Sequence, residues 1–139
     1  LPPGEGQVAQ GVGEDRPQRR VLAGGADILL AEVLGPELHA LMERHPSVGE
    51  VRGRGCFWTL ELVKDRASRE MLVPFNAAGD AAAPVARLAK ASLERGLYLM
   101  THWNVVMVVP PLTITRDEVD EGLEILDETL AIADEYAAA

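Results

Sequence analysis

The chain has 139 residues, of which 47% are hydrophobic and 25% charged, and its formal net charge is −9. That length suits one domain with a buried core, and the composition is ordinary for a soluble globular protein. The acidity is concentrated at one end, with nine acids against one base from Arg116 to Ala139; such a surface argues against a nucleic-acid duplex or an acidic membrane as partner.

No apolar run reaches the roughly 18–20 residues of a membrane span. The chain opens on Leu1-Pro-Pro-Gly-Glu5 rather than on methionine, with no basic region leading into an apolar one, so no signal peptide is expected. One cysteine, Cys56, cannot form an internal disulfide, which fits a reducing, cytoplasmic setting. Cys56 itself reads as a small buried hydrophobe, because nothing near it marks a lowered pKa.

Residues 1–25 hold six glycines and three prolines with almost no apolar periodicity. They read as a disordered tail, with Arg16, Arg19 and Arg20 solvated. Residues 26–139 read as the folded domain. From Ile28 to Met42 apolar residues recur at helical spacing. Gly35-Pro36 interrupts them, which leaves open one kinked helix or two short ones; His45-Pro46 ends the segment.

Glu50–Arg52 and Cys56–Val63 read as strands, and Trp58, Leu60 and Leu62 alternate with Thr59 and Glu61 as in a sheet with one buried face. Lys64–Arg69 is a charged turn, and Met71–Ala78 a loop or short extended segment. Asp80 is the expected N-cap of a second helix whose core face carries Val85, Leu88, Ala89 and Leu93. Gly96 suits a left-handed helix end. Leu97–Met100 and Val105–Val109 follow as strands joined by Thr101–Asn104.

The last helix has the strongest local signals. Thr115 and Glu118 form a capping box, Ile114 and Val119 a hydrophobic staple. Val119, Leu123, Leu126, Leu130 and Ala133 make one stripe. The expected fold is α+β: a small, mostly antiparallel sheet of three to four strands with helices packed on one face.

Chemistry-bearing motifs are few. There is no phosphate-cradling glycine loop leading into a helix and no nucleophile elbow. His39, His45 and His102 have no metal-ligand spacing with each other or with Cys56, so no metal site is expected. Arg52 and Arg54 have two readings: a place near a site mouth or partner, or bonding to nearby backbone and acids.

Five pieces in order resemble the C-terminal small domain of class III (omega-type) aminotransferases, of the fold-type I pyridoxal phosphate enzymes. They are His45–Gly55 with the strand to Val63, Lys64–Glu70, Val73–Asn76, Glu94–Leu97 and Val109–Thr115. The likeness runs from Ala26 to Tyr136. It implies pyridoxal phosphate as cofactor, an amine or amino acid and an oxo-acid as substrates, and a homodimer. It also implies a small domain that closes over the active site.

Some members carry an arginine shortly before the last strand, suited to gripping a substrate carboxylate. Counting back from Pro110-Pro111, that position is Met100 here. The neighbouring set, Thr101, His102, Trp103 and Asn104, resembles a branch with a His-aromatic-Asn loop. With Arg54 these residues are the substrate-binding candidates. Pyridoxal chemistry also needs a lysine for covalent linkage and usually an acid beside the pyridine nitrogen. The only lysines, Lys64 and Lys90, do not stand in the family's lysine context, and its acid-x-valine strand is missing. No catalytic or cofactor-binding residue is therefore assigned. Two expectations follow: part of an aminotransferase, inactive by itself, or a truncated or frameshifted non-catalytic module that binds a partner.

Overall fold

The computed structural model describes residues 26–138; the tail expected over residues 1–25 lies outside them. Helix α1 spans Ala26–Arg44, followed by strands β1 (Val48–Arg54), β2 (Phe57–Asp65) and β3 (Glu70–Met71). A 3-10 turn, Gly79–Ala82, leads into α2 (Ala83–Glu94); then come β4 (Met100–His102), β5 (Val105–Val108) and α3 (Arg116–Asp134). All strand pairs are antiparallel, in the order β1-β2-β5-β4, with β3 also on β2. The expected α+β architecture is present.

Register separates the two faces of the sheet. Val51, Leu60, Val106 and Thr101 lie in one row, and Gly53, Trp58 and Val108 in the next. On this side Leu60 and Val106 are fully buried with Leu38 and Leu41 of α1, Leu88 of α2 and Leu126 and Leu130 of α3. Each such side chain contributes about 1.5–3 kcal/mol of transfer energy. The opposite rows are Arg52, Thr59, Met107 and Met100, then Glu50, Glu61, Val105 and His102. Helices cover the first face and leave this second one open.

Gly35 and Gly53 exist for Trp58. An added Cβ at Gly35 would lie 2.8 Å from the indole Cη2, and one at Gly53 would lie 2.5 Å from the Phe57 carbonyl oxygen and from the indole Cε3. The indole thus rests between α1 and β1, and its Nε1 donates to the Gly55 carbonyl at 2.8 Å. Gly35-Pro36 does not split the helix: α1 is continuous through Pro36. The helix end is finished from a distance. Arg66, in the turn after β2, donates to the Met42 carbonyl in the last turn of α1, where a helix leaves acceptors unpaired, and to the carbonyls of His45 and Val48 beyond it.

Several expectations need correction. Asp80 does not cap α2. It lies in the 3-10 turn, and the N-cap is Ala82 with no side-chain bond. Leu93 is 60% exposed, while Ser92 is buried and donates to Thr129 of α3 at 3.0 Å. Val85, Leu88 and Ser92, spaced three and four, form the stripe that faces α3, and Leu93 is turned about 100° away from it. Met71 pairs with Val63 in the two-residue strand Glu70–Met71, in keeping with the short extended alternative for the start of Met71–Ala78. The strand expected over Leu97–Met100 starts only at Met100, and Thr101 and His102 belong to it rather than to the turn.

The capping box of α3 is present: the Thr115 hydroxyl accepts from Glu118 N–H at 3.3 Å, and the Glu118 carboxylate accepts from Thr115 N–H at 2.8 Å. Ile114 packs with Val119. Hydrogen bonds from the Thr115 backbone and hydroxyl hold the Glu118 carboxyl below its usual range.

Candidate functional site

Strands β4 and β5 leave two residues, Trp103 and Asn104, to turn the chain. A two-residue hairpin loop calls for left-handed backbone, a place ordinarily filled by glycine or asparagine. Trp103 takes it with φ +51°, at a cost on the order of 1–2 kcal/mol. Its ring lies 3.9 Å from the ring of His102 and 4.3 Å from that of Phe75, centroid to centroid. Phe75 is 73% exposed and precedes Asn76, which has φ +58°. Two loops with left-handed backbone thus build one aromatic corner. Such outliers persist where surrounding structure over-determines them, and they cluster at functional sites.

The four candidates of this loop divide. His102 and Trp103 form the corner. Thr101 is half-buried in the row that faces the helices. Asn104 is 2% exposed and holds the sheet together. Leu62 N–H donates to the Asn104 carbonyl at 2.7 Å, and the Asn104 amide donates to the Leu62 carbonyl at 3.1 Å. The same Leu62 carbonyl accepts from Leu72 N–H at 3.1 Å. Asn104 therefore sits where β2 exchanges one neighbour, β5, for another, β3.

Arg54 is not brought to this corner. It pairs with Phe57 at the far end of β1, while His102 is on the other edge strand, in the row of Glu50. Standard spacings put them about 13 Å apart along the strands and about 14 Å across them. Among the described residues Arg54 has no ion pair. Arg52 follows its second reading, bonding Glu50 at 2.8 Å and Glu61 at 2.7 Å. Phe75 is not among the substrate-binding candidates; its sequence signal is an aromatic residue in the Val73–Asn76 loop.

Two grooves flank the sheet. A polar one of about 470 Å³ lies on the open face, lined by Glu50, Arg52, Glu61, Arg66 and Arg69. Its arginines 52 and 66 are already engaged within the fold. An apolar one of about 300 Å³ runs between the end of β5 and α3, lined by Leu34, Leu99, Val108, Pro110, Val119 and Leu123.

Lys64 bonds Glu70 at 2.8 Å, Lys90 is 3.8 Å from Glu94, both side chains are exposed, and neither lines these grooves. Among the described residues no group of three or more histidines, cysteines or acids is placed to hold a metal ion, and no helix is long and apolar enough to cross a membrane.

The model of the family "Aminotransferase class-III" matches residues 26–130. An uncharacterized aminotransferase of Schizosaccharomyces pombe is 35% identical over 109 residues, covering 73% of this chain and 22% of the relative. The 4-aminobutyrate aminotransferase of Escherichia coli is 32% identical over 106 residues, covering 71% of this chain and 22% of that protein. The solved structure of a taurine:2-oxoglutarate aminotransferase from Bifidobacterium kashiwanohense, in complex with pyridoxal phosphate and glutamate, superposes with TM-score 0.71 at 27% identity. It covers 81% of this chain and 24% of that one. The chain therefore spans about a fifth to a quarter of the length of the proteins it matches. Sequence and fold agree: this chain belongs to the class III aminotransferase family and carries the small antiparallel-sheet domain found in its pyridoxal phosphate transaminases.

Proposed function

We propose that this chain serves as the small-domain part of an enzyme that moves an amino group between an amine or amino acid and an oxo-acid. The cofactor would be pyridoxal phosphate, held by parts of the enzyme that correspond to the relatives' remaining length. The cytoplasm and a homodimer are the setting that fits the family. The carrying observation is the corner built on two left-handed turns, where the exposed rings of His102 and Phe75 lie against a partly buried Trp103. His102 and Trp103 present rings to a substrate; Thr101 and Asn104 support them from within the fold. Arg54 stands on a separate edge of the sheet. With methionine at position 100, recognition rests on shape and stacking rather than on a carboxylate-gripping arginine.

By itself the chain is proposed to be inactive, because its two lysines are exposed and ion-paired with neighbouring acids. The test is to incubate the purified chain with pyridoxal phosphate, reduce with borohydride, dialyse, and map modified peptides by mass spectrometry. No specific retention of cofactor and no transamination are expected. Stoichiometric labelling of Lys64 or Lys90 with measurable turnover would overturn this reading. A chain containing this domain together with a cofactor-binding portion should transaminate, and His102→Ala or Trp103→Ala should raise KM more than they lower stability.

A further inference from the structure

The face of the sheet that the helices leave open has an apolar end. Arg54 pairs with Phe57. Strand alternation continues that row to Val109, two residues past Met107, and to Tyr98, two before Met100. Phe57 is 55% exposed, Val109 50%, Tyr98 74% and Met100 56%. Single exposed apolar residues are ordinary, but a contiguous set on an uncovered sheet marks an interaction surface.

The charges on the same face select its occupant. Across β1, β2, β5 and β4 the apolar end holds Arg54, Phe57, Val109 and Tyr98. The middle row holds Arg52, Thr59, Met107 and Met100, and the polar end Glu50, Glu61, Val105 and His102. A second copy turned over about an axis along the strands, between β2 and β5, lays β4 on β1 and β5 on β2, row on row. Arg54, exposed and without an ion pair among the described residues, then meets the copy's Tyr98, a ring suited to a guanidinium. Phe57 meets its Val109, and Glu50 its His102. Arg52 enters with its bonds to Glu50 at 2.8 Å and Glu61 at 2.7 Å already made, so it is not covered as a bare charge. The other two-fold overlay, about an axis across the strands, sets Phe57 on Glu61 and loses this match.

We propose that this chain pairs with a second copy of itself through the open face of its sheet, with Arg54 against Tyr98 and Phe57 against Val109 across a two-fold axis. Sheets packed face to face keep their strand directions within about 30° and stand about 10 Å apart, which this axis allows. Four strands and three rows make a face of about 19 by 20 Å. Two such faces cover on the order of 1,000 Å², the lower end for a specific interface, so the dimer is reversible. The contact asks nothing of the cofactor chemistry, and the failure of either reading leaves the other standing.

Sedimentation equilibrium of the full 139-residue chain, from micromolar to millimolar concentration, should show monomer passing into dimer. Phe57→Asp and Tyr98→Asp, both at exposed positions, should each weaken association about tenfold or more and leave the melting temperature of the dilute monomer unchanged. Arg54→Glu should weaken association too, and adding Tyr98→Arg should restore it, because the two positions face each other. A monomer at every concentration overturns the proposal and leaves the face to a different polypeptide. A dimer that both aspartate variants leave intact overturns it as well, as does an Arg54→Glu loss that Tyr98→Arg fails to restore. If an aspartate variant fails to fold, the Arg54 and Tyr98 exchange decides.

Discussion

The two-residue turns at Gly55-Cys56 and Trp103-Asn104 do the same geometric job in the same sheet. Each joins two antiparallel strands, and each begins with left-handed backbone, φ +60° at Gly55 and φ +51° at Trp103. At the first, glycine adopts it without steric cost and an added Cβ would meet nothing within 4 Å. At the second, a tryptophan is held there by Phe75 and His102 against its ring and by the buried Asn104 that follows. One turn is relaxed, and its Gly55 carbonyl accepts from the Trp58 indole. The other stores conformational cost, and it is the one that packs three aromatic rings together.

The largest effect should come from the strand that feeds the relaxed turn. Gly53→Ala forces a methyl into the Trp58 indole and the Phe57 carbonyl, and chemical denaturation should show a loss of about 1–3 kcal/mol, nearer the upper figure. At the strained turn, Asn104→Ala removes the side-chain bond to the Leu62 carbonyl, which Leu72 N–H still serves, and should cost about 0.5–1.5 kcal/mol by the same measurement. Next is a direct contrast. Trp103→Ala keeps the backbone cost and loses the stacking, whereas Trp103→Gly loses the stacking but relieves the backbone. The glycine variant should be the more stable by about 1 kcal/mol, the reverse of the usual order; equal stabilities would mean that the turn holds no strain. Gly55→Ala should lose a similar amount, about 1 kcal/mol.

The smallest effect concerns the Asp127 carboxyl of α3, which bonds Arg44 and His45 at the end of α1. Burial pushes the Asp127 carboxyl up, but hydrogen bonds from His45 and Arg44 outweigh it and hold the group below the ordinary carboxylate range. A depressed carboxyl contributes stability that is present above its unfolded pKa and is lost as pH falls through the folded one. Asp127→Asn should therefore flatten the acid limb of a pH–stability curve by about 1 kcal/mol or less, since the group is partly exposed. An unchanged acid limb would mean that these bonds do not hold the Asp127 carboxyl low.

What could be read from sequence was what is local. Thr115 and Glu118 are three residues apart, and their reciprocal bonds need nothing else. The alternation through Trp58, Leu60 and Leu62 likewise records one strand's own geometry. The misreadings lie where distant segments decide. Ser92 takes the core position because Thr129, 37 residues away, offers it a hydrogen bond, and no window along α2 contains that partner. Asp80 had the chemistry of a cap but stands in a separate 3-10 turn. In the candidate site the His102–Asn104 segment was visible as a cluster of polar and aromatic residues. Its division into exposed rings and a buried amide depends on Phe75 and Leu62, which approach only through the fold.

Arg66 closes the end of α1 from the far side of the β1–β2 hairpin, with bonds spanning 18 to 24 residues. The Met42 carbonyl of that helix and the His45 carbonyl just past it find this partner only after the hairpin has formed and its following turn has swung back. The helix end and the Lys64–Arg69 turn therefore open and close together, and their amides should exchange with solvent as one cooperative unit, separate from the middle of α1.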